Sequence, residues 1–220
     1  MTHEERMSIF EKLETGAVTD AMVQMGVGSW MDGVFPTKPT MRVFGRAMTA
    51  QFSIVMPPKR PVNQFEIVSM AKPGDVLVWN VPSTANICGE NIMHFIGNNK
   101  VSGLIIDGRT RDYGVIQEMG VPQFTRGRAI APAPRNCRAA EDSINVPVAC
   151  GGTVVNPGDY IFGDIDGVLV VPEKYIDDVL RQAILNMEYE GRMENALNNG
   201  ADVKKLDEVA AGKVLFSPEK

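Results

Sequence analysis

The alternation of apolar runs with glycine and charge along the middle of the chain predicts a core of alternating strands and helices. Two runs of branched apolar residues, at 76–79 and 104–106, resemble strands that are covered on both faces. Periodic apolar residues predict helices over 84–98 and 112–119, and a further strand near 122–128. Because strand and helix alternate, we expect a βαβαβ core with parallel pairing.

The pattern changes on both sides of this core. Before it, the spacing predicts short helices within 1–28, a strand over 43–56 and a helix over 63–70 that Asn63 can cap. After it, short β runs separated by glycine turns predict a β-rich layer that extends to residue 171. A long helix with one apolar face then begins at about Pro172. These elements predict an α/β fold.

Length, charge and hydropathy limit the classes of protein to which this sequence can belong. A chain of 220 residues suits one domain over 1–220, in which 1–28 form N-terminal helices and 173–220 form a C-terminal helical segment. The net charge of −5 argues against a nucleic-acid partner, which needs clustered Lys and Arg. No apolar run approaches the ~18 residues of a membrane span, and no signal-peptide core is visible. We therefore expect a cytoplasmic protein without a membrane partner.

Cysteine and histidine usage limits the metals that the chain can bind. Cys88, Cys137 and Cys150 form no CxxC pair, so we expect neither a disulfide framework nor a thiolate metal site. Buried cysteines usually act as small apolar residues, although Cys88 lies near the candidate site and a reactive thiol there is conceivable. With only His3 and His94, a His-rich zinc site is excluded. A metal would have mainly oxygen ligands, which favours Mg²⁺ or Mn²⁺.

Charged residues concentrate just after the strand at 104–106, where ligands bind in open α/β sheets. They are Asp107, Arg109, Arg111 and Asp112. Asp112 can hold a divalent metal, Arg111 can clamp a carboxylate, and amides from Gly89 to Ile92 can bind an anion at a helix start. A 2-oxo acid is the kind of ligand that these three features would bind together. The alternative is structural, with Arg111 and Asp112 as a surface ion pair or Asp112 as the cap of the next helix.

Several strings also carry a family resemblance that covers nearly the whole chain. They are GDVLV at 74–78, GE at 89–90, GLIIDGRTRD at 103–112 and PVACGGTVVNPGDYIFGDIDGVLVVP at 147–172. The sequence resembles the RraA-like family. This family contains the ribonuclease E activity regulator and class II pyruvate aldolases that cleave 4-hydroxy-4-methyl-2-oxoglutarate and 4-carboxy-4-hydroxy-2-oxoadipate.

The resemblance implies a single-domain β/β/α fold, similar to the phosphohistidine swivelling domain, that assembles as a homotrimer or homohexamer. It implies a Mg²⁺ or Mn²⁺ ion on Asp112, and an enolate of pyruvate that the metal and Arg111 stabilise. Glu190 from a neighbouring subunit would complete the catalytic set of Arg111, Asp112 and Glu190. The implied substrate-binding residues are Gly89, Glu90, Asn91, Ile92 and Arg111.

Several positions depart from the aldolase pattern, among them residues 79, 80 and 94. Val115 replaces an acidic residue three positions after Asp112, and Arg109 replaces a small residue and adds a cation beside the pocket. The resulting prediction is a divalent-metal-dependent lyase that acts on a small 2-oxo dicarboxylic acid, by retro-aldol cleavage or by decarboxylation of oxaloacetate to pyruvate. The alternative is a non-catalytic RraA-type regulator that binds a ribonuclease or another protein.

Overall fold

The computed structural model describes residues 1–82 and 84–215, and these form two compact units. One unit comprises Met1–Gly28 and the described residues from Lys174 onward, and the other comprises Ser29–Glu173. Residues 216–220 of the expected C-terminal segment lie outside the described residues. In the described part of the chain, no helix is long and apolar enough to span a membrane.

The chain contains helices at both ends and strands mainly between them. The helices are α1 (His3–Phe10), α2 (Thr15–Gln24), α3 (Gln64–Met70), α4 (Glu90–Asn98), α5 (Tyr113–Glu118), α6 (Ile176–Asn198) and α7 (Val203–Ala211). The strands are β1 (Trp30–Met31), β2 (Phe35–Pro36), β3 (Val43–Ile54), β4 (Pro61–Val62), β5 (Val76–Asn80), β6 (Asn86–Cys88), β7 (Gly103–Asp107), β8 (Arg109–Thr110), β9 (Gln123–Thr125), β10 (Cys137–Ile144), β11 (Val148–Cys150), β12 (Thr153–Val155), β13 (Tyr160–Asp164) and β14 (Gly167–Val171).

In the helical unit, α6 packs against α2 through the apolar face that the sequence predicts. Val179 and Leu180 are fully buried, and Asn186 donates a hydrogen bond to the Ala17 carbonyl at 3.2 Å. At the start of α6, Asp177 accepts hydrogen bonds from Arg6 and from the N-terminal ammonium, each at 2.7 Å. These contacts lower the Asp177 pKa to about 2.

In the strand unit, the central sheet has the order β1-β14-β13-β3-β5-β7-β9-β2, and β10 and β4 extend it from β3. The pairs β3/β5, β5/β7 and β7/β9 are parallel, which confirms the predicted parallel core. β13 and β14 pair antiparallel as the expected β-rich layer, and the short hairpin β11/β12 forms a separate sheet.

The two faces of the sheet bury different apolar residues. In β5, Leu77 and Trp79 belong to one core cluster, and Val76 and Val78 belong to the other. Successive side chains of a strand point to opposite faces, so a continuous apolar run is required when both faces are covered. This double burial explains why the strand could be predicted from its sequence.

The prediction of one helix over 84–98 is wrong at its start. Residues Asn86–Cys88 form β6, which pairs parallel with β8, and α4 begins only at Glu90. The Asn86 side-chain amide donates to the carbonyls of Ile130 and Ala131 at 2.9 and 2.8 Å, which contributes to holding the segment extended. These partners are more than forty residues away, so no local pattern indicates the strand.

Candidate active site

A pocket of ≈ 270 Å³ opens beside the start of α4, entirely within the strand unit. Its walls include all the residues predicted to bind substrate or metal, which are Gly89, Glu90, Asn91, Ile92, Arg111 and Asp112. The remaining walls come from β6, the first turn of α3, residues 132–133 and Arg138 of β10. The structure therefore brings together two segments that are about twenty residues apart in the sequence.

Asp112 does not act as the cap of its own helix. It occupies the N-cap position of α5, but its side chain makes no capping hydrogen bond there. Its Oδ2 atom instead accepts a hydrogen bond from the backbone amide of Glu90, at the start of α4, at 3.1 Å. The backbone of Asp112 is left-handed, with φ 60°. Such a conformation is uncommon outside glycine and often marks a functional position.

The β6/β8 pair places Arg111 and Asp112 beside Gly89. The Arg111 amide donates to the Cys88 carbonyl at 3.1 Å, and the buried Thr110 hydroxyl donates to the same carbonyl at 3.0 Å. Arg111 Nε lies 3.4 Å from Asp112 Oδ2, so the ion-pair part of the structural alternative is present. The Arg111 side chain is still 49% exposed, which leaves its guanidinium accessible to a ligand.

Gly89 is required for close packing rather than for backbone freedom. Its φ of −148° is extended, and other residues adopt such a value readily. A Cβ atom at this position would overlap Asp112 Oδ2 and would lie 3.3 Å from Arg111 Nε. Gly89 also provides no side-chain cap for α4. The amides of Asn91 and Ile92 in the first turn therefore keep their donors for an anion.

The donor set at Asp112 fits a hydrated Mg²⁺ or Mn²⁺ ion. Residues 1–82 and 84–215 contain no cluster of three or more His, Cys, Asp or Glu that could hold a metal. Asp112 is 33% exposed, and its Oδ1 atom accepts no hydrogen bond from the same residues. Mg²⁺ typically binds to one or two carboxylates and keeps several waters, and the accessible carboxylate of Asp112 allows such binding.

Cys88 lines the pocket but is only 2% exposed. Burial raises the pKa of its thiol to about 12. At pH 8 only about one part in ten thousand of such a thiol is the reactive thiolate. The environment therefore favours the role of a small apolar residue over that of a nucleophile.

We expect all three cysteines to resist a thiol reagent in the native protein. Cys88, Cys137 and Cys150 are buried, and burial raises the pKa of each thiol. With dithionitrobenzoate at pH 8, native protein should release almost no colour, and protein in guanidinium should titrate three thiols. Rapid labelling of one native thiol that disappears in Cys88→Ser would contradict this assignment.

Other charged residues near the strand ends lie away from the pocket. Asp107 accepts a hydrogen bond from the Gly151 amide at 2.8 Å and pairs with Arg126. Arg109 is exposed and lines a neighbouring cleft with Arg126, so the expected cation beside the pocket belongs to a different surface. Val115 is exposed on α5. The four charged residues at the end of β7 and just after it thus lie in two places, with Asp107 and Arg109 away from the pocket that contains Arg111 and Asp112.

Glu190 lies on α6 in the helical unit, and its role in a neighbouring subunit's site stays a prediction. Partial burial and the nearby carboxylates of Asp20 and Glu14 raise its pKa, and Lys213 opposes them.

The sequence analysis did not identify three residues at or beside the pocket, which are Arg138, Asn86 and Thr110. Thr110 lies within the charged string, but no motif or spacing indicates that Arg138 belongs to the pocket.

Comparison with known proteins identifies sequences that are similar to most of this chain. The sequence model of the RraA-like family, described as Aldolase/RraA, matches residues 15–170. A protein of Halalkalibacterium halodurans named "Putative 4-hydroxy-4-methyl-2-oxoglutarate aldolase" is 28% identical over 192 residues, which cover 86% of this chain and 87% of that protein. The similarity extends over most of both chains.

Two solved structures share the fold. RraAS2 of Streptomyces coelicolor, described as an unusual member of the RNase ES inhibitor RraA protein family, matches with a TM-score of 0.77 and 25% identity, over 88% of this chain and 100% of that chain. An uncharacterized protein of Pseudomonas syringae matches with a TM-score of 0.84 and 24% identity, over 94% of each chain. The expected mixed α/β, RraA-like fold is thereby confirmed, and the chain belongs to the RraA-like family.

Proposed function

We propose that this protein is a divalent-metal-dependent lyase that releases pyruvate from a small 2-oxo acid by retro-aldol cleavage. The observation that carries the proposal is the convergence of Asp112, Arg111 and the open amides of α4 on one pocket. The name of the H. halodurans relative supports an aldolase. Decarboxylation of oxaloacetate would pass through the same pyruvate enolate and is proposed as a second activity.

The chain's own groups account for substrate binding. The exposed Arg111 guanidinium can donate two parallel hydrogen bonds to the carboxylate of the pyruvyl part. The amides of Asn91 and Ile92 add donors at the positive end of α4. Together these groups orient the 2-oxo group toward Asp112 and stabilise the negative charge that develops when the carbon–carbon bond breaks.

Asp112 would hold Mg²⁺ or Mn²⁺, and the Glu90 amide fixes its carboxylate by donating to Oδ2. When bound, the ion supplies Lewis-acid polarisation of the 2-oxo group. In the cleavage, the C3–C4 bond breaks, its electron pair forms the enolate, and the 4-hydroxyl loses its proton. We propose that Glu190 of a neighbouring copy, in a homotrimer or homohexamer, participates in this proton transfer. Its raised pKa suits acid–base chemistry.

The proposal is tested by pyruvate release from 4-hydroxy-4-methyl-2-oxoglutarate and from oxaloacetate, coupled to lactate dehydrogenase. We expect turnover with Mg²⁺ or Mn²⁺, no turnover after treatment with chelator, and recovery when the metal is added back. Two pyruvates should appear for each 4-hydroxy-4-methyl-2-oxoglutarate consumed, since both fragments of this substrate are pyruvate. Turnover that does not depend on a metal would overturn the proposal. Absence of turnover of both substrates by protein that binds Mn²⁺ would also overturn it.

The second candidate is a regulator that acts through protein binding. It is favoured by the fold shared with the S. coelicolor protein, which is described as a member of an RNase ES inhibitor family. A regulator needs no accessible carboxylate and arginine in a pocket, so the geometry favours the lyase. Absence of turnover together with direct binding to a purified ribonuclease E-type enzyme would favour the regulator.

A further inference from the structure

We infer that a second cleft, lined by Arg109 and Arg126, is a binding site for a small organic anion that carries a carboxylate or phosphate group on an apolar body. The cleft has a volume of ≈ 460 Å³ and lies within the strand unit. None of its described walls belongs to the candidate active site. The inference is therefore independent of the proposed lyase function.

The cleft lies at the carboxyl edge of the three parallel strands β5, β7 and β9. Residues 81–82 follow β5, residues 108–109 follow β7, and Arg126 follows β9. In open α/β sheets, ligands bind in the crevice outside the carboxyl ends of the strands. The candidate active site lies beside α4 and β6 instead, so this edge of the sheet has a cleft that the proposed function does not use.

Contacts between the loops at this edge fix the walls of the cleft. The Val81 amide donates to the Asp107 carbonyl at 3.2 Å, and the Arg126 amide donates to the Gly108 carbonyl at 2.9 Å. A Cβ atom on Gly108 would lie 2.9 Å from the Val81 Cβ, so the loops after β5 and β7 are closely packed. A preformed cleft of this kind loses little conformational freedom when a ligand binds.

The Arg126 side chain is held in place, and part of its guanidinium is available to a ligand. Its Nε atom pairs with Asp107 Oδ1, and Asp107 Oδ2 accepts a hydrogen bond from the Gly151 amide at 2.8 Å. Its Nη1 atom lies against Gly33, where a Cβ atom would come within 2.8 Å of it. The side chain is 41% exposed, and its Nη atoms donate to no acceptor in the described part of the chain.

Arg109 provides a second cation in the same cleft. Its backbone is fixed in β8, where it pairs with Asn86 of β6, and its side chain is exposed. Within residues 1–82 and 84–215 it forms no ion pair with a carboxylate. Asp107 lines the cleft as well, but both of its oxygens already accept hydrogen bonds from other groups. An anionic ligand can therefore supply the counter-charge of Arg109.

The charge and the apolar walls together indicate the class of ligand. Two arginines and one aspartate give the cleft a formal charge of +1, and Asp32, which also acts on Arg126, is not among the described walls. Guanidinium groups bind carboxylate and phosphate oxygens in bidentate fashion. Val81 and Pro82 add an apolar wall, and the volume is within the ~300–1,000 Å³ of small-molecule sites. An organic anion contacts both kinds of wall, whereas an inorganic anion contacts only the arginines.

Titration calorimetry on the full chain, with a metal chelator present, tests the site. The probes are phenyl phosphate, benzoate and the neutral benzyl alcohol, which share a phenyl ring and differ in the attached group. We expect at least one of the two anions to bind and the alcohol not to bind. Binding of phenyl phosphate alone would identify a phosphorylated ligand, and binding of benzoate alone would identify a carboxylic acid. If neither anion binds, or if the alcohol binds equally well, the inference is overturned.

The site is located with variants of Arg109. Arg109→Gln should weaken the binding of the anionic probe by about 10-fold or more, the effect of losing hydrogen bonds to a charged group. Arg109→Lys should be intermediate, since lysine keeps the charge but loses the bidentate geometry. Because the Arg109 side chain is exposed and has no described carboxylate partner, the Tm of both variants should stay close to that of the parent protein.

The matched control is Arg135→Gln, which makes the same change at an exposed arginine outside the described walls of both pockets. It should leave the affinity for the probe unchanged, and so should Arg111→Gln, which alters the candidate active site. If Arg111→Gln weakens the probe and Arg109→Gln does not, the probe occupies the candidate active site and the inference is overturned. Equal losses in Arg109→Gln and Arg135→Gln would show only non-specific attraction and would overturn it as well.

Discussion

In Asp112→Asn we expect pyruvate release to fall by about a thousandfold or more, because the variant loses the carboxylate that is proposed to hold the divalent metal ion. Asparagine matches aspartate in size and tolerates a left-handed backbone, which the φ of 60° requires. Its side-chain oxygen can still accept the hydrogen bond from the Glu90 amide. The fold and the position of α4 should therefore survive the change.

The measurements are steady-state kinetics, the affinity for Mn²⁺ by electron paramagnetic resonance, and Tm. We expect weakened Mn²⁺ binding together with lost activity, and a Tm within a few degrees of the parent protein. Asp207→Asn, the same change at an exposed position of α7, should alter none of these quantities. Unchanged Mn²⁺ affinity in Asp112→Asn would mean that Asp112 is not the ligand, whatever happens to the rate.

The parts of the fold that could be predicted are those in which a local pattern and burial coincide. β5 and β7 are apolar at nearly every position, since both faces of the sheet are covered, and this pattern appears directly in the sequence. The capping of α3 by Asn63 is equally local, because the side chain accepts from the Glu66 amide three residues later. Such signals involve neighbours in sequence and need no knowledge of the tertiary structure.

The parts that could not be predicted depend on distant partners. β6 is extended through the contacts of Asn86 with residues 130–131, and β10 pairs with β3 across a break in register. β10 contains Ala139 to Ser143, which show no clear alternation of apolar and polar residues. Because the strand itself was not predicted, Arg138 could not be assigned to the pocket, although Arg111 and Asp112 could.

The role of Asp112 illustrates the same limit at a single residue. Its position before α5 is consistent with an N-cap, and composition offers no reason to prefer a ligand role. The structure excludes the N-cap of α5, because the side chain turns away from α5 and accepts a hydrogen bond from α4 instead. Gly89 allows this contact because glycine has no Cβ atom, and a Cβ atom here would overlap the Asp112 carboxylate. The glycine and the aspartate therefore form one unit, and this leads to the second large effect.

In Gly89→Ala we expect kcat/KM to fall by about a hundredfold, since a displacement of ~1 Å at reacting groups costs about that much. The added Cβ would overlap Asp112 Oδ2 and crowd Arg111 Nε at 3.3 Å, so the carboxylate must move. The extended backbone at Gly89 accepts alanine without strain, so Tm should change little. Kinetics, Mn²⁺ affinity and Tm are again the measurements.

Gly114→Ala is the matched control for this variant. Gly114 follows Asp112 by two residues, but a Cβ atom there meets nothing within 4 Å, so activity should be kept. The double variant Gly89→Ala/Asp112→Asn gives the sharpest result. If Gly89 acts by leaving space for the Asp112 carboxylate, the two losses should not add, because the second change has little left to disrupt. Additive losses would show instead that alanine harms the site by another route, such as displacing Arg111 or the amides of α4.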